Sequence, residues 1–359
     1  MIEGIHKINP SAVHYVFVPC RDKSLFGRNS ISKDAIKIVY FYVPSWLKFF
    51  PIIKVFFAFL KVIVFFRKES LDVSKFKGVA YTFWSDGAIT FLVRLFYKCP
   101  YIVCVRNTDI QVFFKYGYHL RPLMKLIFNF SIKVVCPSRV ISESVLSRRW
   151  LCSSESKVCV IPNPLPLWWA ENSVSSVNSR LDGGYIYGVF VGSFDKNKNL
   201  TGVVEAISHA RERYPSLQLM CVGGEEEEMF SLLGEGDIPD YLKVMGRIDD
   251  KNHLLKIYRR SAFLIVPSYQ ETFGMVYIEA ISQGCSVIYS EGQAVDGMLP
   301  KGKFSFAVLP GNTENMSMAI CSAIEMRETV SVADFLDVIA LFDMNQVCKA
   351  YLNIFEGLK

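Results

Sequence analysis

Pro267-Ser-Tyr-Gln-Glu271-Thr-Phe-Gly274-Met-Val-Tyr-Ile-Glu279-Ala-Ile-Ser-Gln-Gly284-Cys-Ser-Val-Ile288 is the stretch on which the reading of this chain turns. An unbroken apolar run, Ala262–Val266, precedes it, the composition of a strand covered on both faces of a parallel sheet. A helix is expected from Gly274 to Ser282, stopping before Gly284, the residue type that helix C-termini favour. The amide end of that helix then points into the crevice beyond the strand's carboxyl end, where open α/β sheets bind ligands. Free N–H groups there attract phosphate. Taken alone, a carboxylate near a helix start is a response to the dipole, and Glu279 is a solvated face residue. Together, a loop glycine, an amide end and two acceptor-only side chains can grip a sugar nucleotide: amides for phosphate, carboxylates for hydroxyls.

The surrounding chain extends this pattern. At 359 residues it exceeds what one core usually covers, so two domains are expected, and 51% apolar and 14% aromatic content excludes disorder. Strands are expected at Val13–Val18, Lys37–Val43, Gly78–Trp84, Tyr101–Val105, Lys133–Cys136 and Lys157–Ile161, with helices near Trp46–Arg67, Gly87–Tyr97, Gln111–Phe128 and Val140–Trp150. The alternation resumes with strands at Gly184–Val191, Leu217–Val222, Leu242–Met245, Ala262–Val266, Ser286–Tyr289 and Ser305–Leu309. Helices are expected there near Leu200–Arg213, Glu225–Leu233, Lys251–Ser261, Gly274–Ser282, Thr313–Arg327 and Val332–Glu356. The span 164–184, rich in Ser, Asn, Pro and Gly, reads as a linker. The expected division is 1–165, a linker at 166–183, 184–340, and a C-terminal helix at 341–359 packing back on the first domain. Two consecutive βαβ domains describe two Rossmann-like lobes facing across a cleft.

Charge separates the halves. Residues 1–165 carry 24 Lys and Arg against 9 Asp and Glu, a net +15, and the rest is −9. A basic half implies an anionic partner. Within it, 46–67 is almost wholly apolar, with Lys54, Lys61 and Lys68 recurring every seventh residue and so returning to one helix face. Two central lysines are expensive in hydrocarbon, so the segment suits the interfacial plane of a membrane and not a span. No secretory signal opens the sequence. Ten scattered cysteines show no zinc spacing and read as reduced, buried thiols. Nucleic-acid binding has no fold signature in its favour.

Three further segments join the opening stretch. Val189-Phe-Val-Gly192-Ser193-Phe-Asp-Lys196-Asn-Lys198-Asn-Leu200 ends a strand at a glycine and leads through two lysines into a helix, without a dinucleotide fingerprint or a Walker loop. Val244-Met-Gly246-Arg247-Ile248-Asp249-Asp250 is a strand-to-helix turn in which Asp249 or Asp250 can cap the next helix. Leu309-Pro-Gly-Asn-Thr-Glu314 is a late loop before a helix. With Glu271 and Glu279, these segments resemble the Glu-x7-Glu stretch, the strand–Gly-Arg–Lys loop and the base-holding loop of GT-B glycosyltransferases, specifically retaining family 4 (glycosyl transferases group 1). The resemblance covers 134–319 and includes Pro137-Ser138-Arg139 and Ile161-Pro-Asn163.

The resemblance implies a GT-B fold and a nucleotide-diphosphate sugar as donor, with neither cofactor nor metal. The donor site it assigns comprises Gly192, Ser193, Lys198, Ile248, Asp249, Glu271, Thr272, Phe273, Gly274 and Glu279. Glu271 and Lys198 act in catalysis: Glu271 holds sugar hydroxyls and stabilises charge at the anomeric carbon, and Lys198 with the Phe273–Gly274 amides carries the departing diphosphate. Glu279 accepts from the ribose diol. Ser193 stands where the family has Arg, replacing a bidentate cation by a neutral hydroxyl. Arg106 stands where many relatives carry a His, so no catalytic His is carried over, and His14 and His119 read as structural or surface residues. The acceptor implied is a lipid-linked saccharide, as in polysaccharide or O-antigen assembly, met by the basic lobe at the cytoplasmic face of a membrane. A sugar-nucleotide epimerase and a catalytically inactive GT-B partner are the alternatives.

Overall fold

The computed structural model describes residues 1–28, 34–175, 184–234 and 238–357. All twelve apolar runs form strands: β1 His14–Cys20, β2 Ile36–Tyr42, β3 Gly78–Ala80, β4 Tyr101–Cys104, β5 Val134–Cys136, β6 Val158–Val160, β7 Ile186–Val191, β8 Leu217–Val222, β9 Leu242–Val244, β10 Phe263–Val266, β11 Ser286–Ser290 and β12 Ser305–Val308. β4, β5, β8, β10 and β11 are buried almost throughout, as strands covered on both faces are, whereas β1, β2, β6 and β9 are only partly covered. Every described strand pair is parallel.

The chain divides into two units. One comprises Met1–Pro137, Ile141–Pro162 and Met344–Lys359; the other comprises Ser138–Val140 and Asn163–Asp343. In the first, β1 and β2 form one parallel pair and β3-β4-β5-β6 a four-stranded sheet. The Met344–Glu356 helix belongs to this unit, burying Val347, Tyr351 and Phe355 against Ile102, Cys104 and Val135. In the second, the order is β12-β11-β10-β7-β8-β9. That is a doubly wound sheet, and its strand order reverses between β7 and β10.

Several expected boundaries move, each for a visible reason. The run expected as a strand over Gly78–Trp84 leaves the sheet after Ala80, because the amides of Phe83 and Trp84 donate to the Asp109 carboxylate. The helix expected over Gln111–Phe128 breaks at Gly117 and restarts as Arg121–Phe130, with Pro122 in its first turn, where a missing amide costs nothing. The single helix expected over Val332–Glu356 is two, Val332–Ala340 and Met344–Glu356, separated at buried Phe342, whose carbonyl accepts from the Leu165 amide. Within the expected linker, Leu167–Glu171 is a short helix with Trp169 in the core, and Val174 is bonded to the Ser282 carbonyl. The remainder of that linker, 176–183, lies outside the described residues.

The segment read as interfacial is a tight turn, Ser45–Phe49, followed by a helix, Pro51–Lys68. Its buried stripe is Val55, Ala58, Phe59, Val62, Ile63 and Phe66. The opposite face exposes large apolar side chains, with Val64 63%, Phe56 54% and Leu60 45% exposed; Phe49 of the preceding turn is 70% exposed, and Phe96 of the neighbouring Ser85–Tyr97 helix, 69% exposed, lies beside Phe59. The three lysines do not share one exposed stripe. Lys61 and Lys68 are exposed, but Lys54 is half-buried, its pKa lowered by burial and by the Arg21 charge, with Asp86 opposing. No helix among the described residues is long and apolar enough to cross a membrane.

Gly188 shows how tightly β7 and β10 are joined. It lies opposite Phe263, and a Cβ there would stand 2.5 Å from the ring. Gly188→Ala is expected to cost about 1–3 kcal/mol through overpacking, read as a lower midpoint in denaturant unfolding. Adding Phe263→Leu recovers part of the loss if the ring is the cause.

Candidate functional site

The site grows from the reversal between β7 and β10. Leaving β7, the chain passes Gly192 and Ser193 and enters a turn at Lys196–Lys198, capped by Asp195, whose carboxylate accepts from the Lys198 amide at 3.0 Å. Leaving β10, it runs through Ser268–Phe273 to Gly274, whose φ of +74° starts the Met275–Ser282 helix. A side chain at Gly274 would meet the Tyr277 ring as well as a left-handed backbone. Tyr277 in turn donates to the Val266 carbonyl at 2.6 Å, fastening this helix to the strand end.

The two loops are laced together. Asn197 donates to the Gln270 carbonyl and accepts from the Gln270 amide, both at 3.1 Å, and the Tyr269 amide reaches the Asn197 carbonyl at 2.8 Å. This lacing brings Lys198 Nζ to 2.7 Å from Glu271 Oε2, with both side chains mostly shielded. The lysine stem lies across Gly192. Glu271 is fixed from behind: its amide donates to Gln293 Oε1 and its carbonyl accepts from the Ala294 amide, each at 3.1 Å. Its second carboxylate oxygen accepts from the Thr272 amide at 3.0 Å, and the Thr272 carbonyl takes a hydrogen bond from Ser138 Oγ at 2.9 Å. The Thr272 backbone is therefore engaged. The amides of Phe273 and Gly274 donate to no group among the described residues and form the open amide end.

Glu279 occupies a different environment. Burial pushes its carboxyl up to about 7, with the charge of Lys251, the first residue of the Lys251–Arg260 helix, opposing. The turn before that helix carries Ile248 and exposed Asp249; the helix cap is Asp250, which accepts from the Asn252 amide at 3.0 Å. The site residues thus fall into two groups. One gathers Gly192, Lys198, Glu271 and the Phe273–Gly274 amides; the other is Glu279 with the charge of Lys251, while Ile248 and Asp249 are joined to neither. Ser193 is exposed and donates to Asp195, so it supports the capping carboxylate of the Lys198 turn. His14 stands edge-on to His6, and His119 is exposed, both remote in sequence from this loop pair. A concave patch lined by Glu291, Lys301, Ser305, Asn315 and Met318 includes none of these groups.

Gln293, Asn197 and Lys251 are participants to which the sequence assigned no role, and Ser138, part of a quoted signature, acquires one through the Thr272 carbonyl. Chemically, the first group offers one cation and open amides to a diphosphate, with a carboxylate beside them for hydroxyls or positive charge. The second offers a carboxylate, whose two oxygens suit a vicinal diol.

The profile of the family described as glycosyl transferases group 1 matches residues 174–333. The phosphatidyl-myo-inositol mannosyltransferase of Mycobacterium leprae is 25% identical over 225 residues, covering 60% of this chain and 58% of the relative. The O-antigen chain mannosyltransferase B of Escherichia coli is 27% identical over 108 residues, 29% of this chain and 28% of that protein. The chain therefore spans less than two thirds of either relative's length. Among solved structures, the Anabaena HepE protein in complex with UDP superposes with a TM-score of 0.71 at 14% identity, covering 99% of this chain and 95% of that one. The fold is GT-B.

Glu279 has a pH signature. Its raised pKa means that the folded chain holds an extra proton between about pH 4.5 and 7, so this group's contribution to stability falls as pH rises through that window, by up to roughly 3 kcal/mol. Glu279→Gln should flatten that fall in unfolding measured from pH 5 to 8. A diol donates both its protons, so only the ionised carboxylate accepts both. Nucleotide affinity, measured by calorimetry, should rise with pH through about 7 in the wild type and stay level in Glu279→Gln.

Proposed function

We propose that this chain, GT-B in fold and matching the glycosyl transferases group 1 profile over residues 174–333, is a glycosyltransferase that moves a sugar from a nucleotide-diphosphate sugar to a lipid-linked saccharide at the cytoplasmic face of a membrane. The observation that carries the reading is the Lys198–Glu271 pair set beside the open Phe273–Gly274 amides at the strand reversal. On this reading the diphosphate competes with Glu271 for Lys198 and seats its oxygens on the amides, which concentrates stabilisation where leaving-group charge develops. Glu271, released towards the sugar, holds its hydroxyls and faces the anomeric carbon as positive charge builds there. Glu279 takes the ribose.

The transfer is proposed to retain anomeric configuration without a metal. The departing diphosphate itself guides the acceptor oxygen onto the face it leaves, so no separate protein nucleophile is assigned. HepE, solved with UDP, supports a nucleotide donor. The names of the mycobacterial and E. coli relatives support an acceptor built on a lipid or an O-antigen chain. The unpaired apolar face of the Pro51–Lys68 helix, with Lys61 and Lys68 exposed on it, supports seating at an anionic lipid surface.

A thermal-shift screen of UDP-, GDP- and ADP-sugars should find one donor that stabilises the wild type, by about 2.7 kcal/mol at a hundredfold excess over Kd, with the shift lost in Glu279→Ala. Lys198→Ala should lower kcat about 10²- to 10³-fold, the size seen when one charge-stabilising donor is removed. A chelator should leave the rate unchanged, and the product should keep the donor's anomeric configuration by NMR. No stabilisation by any nucleotide sugar would move the chain to the inactive-partner reading. For the membrane, co-sedimentation with phosphatidylglycerol vesicles should be lost when Phe49, Phe56 and Leu60 become Ser, while the nucleotide shift persists; unchanged sedimentation removes the lipid surface from the proposal.

A further inference from the structure

The second unit buries a polar group that makes none of the donor-site contacts. Tyr258 is fully buried in its core, and the hydroxyl has no hydrogen-bond partner among the described residues. An unpaired buried hydroxyl is destabilising, and a phenylalanine would fill the same space without it. Glu279 has the complementary problem: burial disfavours its charge, Lys251 opposes only in part, and no hydrogen bond to the carboxyl helps among the described residues.

The helices set these two groups against each other. Arg259, the residue after Tyr258, donates from Nε to Gln283 Oε1 at 2.9 Å and from Nη2 to the Asn172 carbonyl at 2.8 Å. Gln283 follows Glu279 by four residues and so stands on the same face of the Met275–Ser282 helix and its cap. That bond pins the end of the Lys251–Arg260 helix to the face carrying Glu279. Lys251, Leu255 and Tyr258 recur at helical spacing along one side of the Lys251–Arg260 helix. Lys251 and Tyr258 both interact with the Glu279 charge, so this is the side turned to the carboxyl. A row of rings joins its two ends: Trp169 lies 5.7 Å from Tyr258, Trp168 5.0 Å from Trp169, and Lys251 Nζ 5.9 Å from the Trp168 ring. The cation is at the exposed end of the row and the phenol at the buried end.

We infer that Tyr258 is a positioning residue for nucleotide binding, its hydroxyl donating to the Glu279 carboxylate from the buried side while the ribose diol is held from the open side. This role rests on Glu279 taking the ribose. Without nucleotide, Glu279 keeps its proton and needs no donor, and the hydroxyl stays unpaired. When the diol arrives, that proton passes to solvent and the carboxylate has lone pairs for both diol protons and for the phenol. A hydrogen bond to an ionised acceptor is roughly twice as strong as a neutral one, so the contact forms where it holds the carboxylate in its binding orientation. Burial and the Glu279 charge both push the Tyr258 phenol up, so it remains a donor whenever the carboxylate is ionised. Other charges nearby leave this pairing open. The Cys285 thiol, also sensed by Tyr258, is pushed up to about 12 by burial and stays neutral. On the Val332–Ala340 helix, which also packs on the Met275–Ser282 helix, Asp334 is bonded to Lys303 and Asp337 is exposed.

Calorimetry on the full chain with UDP, GDP and ADP, from about pH 5 to 8, tests this on Tyr258→Phe, which removes only the hydroxyl. The nucleotide that binds the wild type should bind Tyr258→Phe about tenfold more weakly at the upper end of that range, the size of one hydrogen bond to a charged group. The rise of affinity with pH should also move to higher pH, because the ionised carboxylate has lost a donor. Added to Glu279→Gln, the same substitution should change affinity by less than about twofold, since the two residues act as one. In denaturant and without nucleotide, Tyr258→Phe should be at least as stable as the wild type, because it deletes an unpaired hydroxyl; a packing role predicts a lower midpoint. A Tyr258→Phe affinity within about twofold of wild type with the same pH profile, an equal loss in the Glu279→Gln background, or a lower midpoint without nucleotide each overturns the positioning role. Binding lost in Glu279→Ala but kept in Tyr258→Phe leaves the ribose contact standing and removes only Tyr258 from it. A wild type that binds no nucleotide, or whose binding survives Glu279→Ala, defeats the ribose contact and this role with it.

Discussion

The parallel pairing of β7 with β10, Gly188 against Phe263 and Val189 against Leu264, is the constraint on which the second unit's site depends. These strands are 72 residues apart in the chain yet adjacent in the sheet, because successive βα units wind outward in opposite directions from this point. The loops that leave them have no neighbouring strand between them, so they meet. Asn197 laces one to the other, and Lys198 and Glu271 arrive at hydrogen-bonding distance as a consequence. Neither charge is isolated in a partly shielded place, which would be costly.

Glu271 and Glu279 lie on one short stretch and are treated oppositely by the fold. Glu271 is satisfied by an ammonium and a backbone amide. Glu279 is half-buried, and desolvation outweighs the opposing Lys251 charge, so its proton is held to near neutrality. Two identical side chains eight residues apart thereby acquire different chemistry: a fixed carboxylate beside a cation, and a carboxylate that holds its proton to near neutrality.

The first unit repeats the logic with other residues. Asp109 there does what the Asn197 lacing does in the second unit, tying adjacent strand-end loops together, but it does so with a buried carboxylate gathering three amides. The same bond set ends β3 at Ala80, so one side chain limits a strand and shapes the rim beyond it. The Pro51–Lys68 helix adds a surface that the core does not explain, since large apolar side chains stand exposed on its outward face beside Lys61 and Lys68.

Strand positions were legible in the sequence because covered parallel strands are short, continuous apolar runs; β4, β5 and β10 follow that rule most closely, while β2 and β9 each carry a lysine. The Gly274 helix start was legible because Gly and Gly284 bracket a helical period, and both define its ends. Helix breaks were less so: Gly117 and Phe342 interrupt patterns whose periodicity continues through them. Composition also determined the basic first half and the acidic second. What only the tertiary structure decided was who meets whom. The Lys198–Glu271 contact spans 73 positions and the Asp109–Phe83 contact 26, and no local pattern encodes such pairs, because they follow from strand order and not from spacing. Lys54 illustrates the same limit. Its seven-residue spacing places it with Lys61 and Lys68, but the packing against its own unit turns it inward towards Asp86. Periodicity tells which residues share a helix face; only the packed neighbours tell which face is dry.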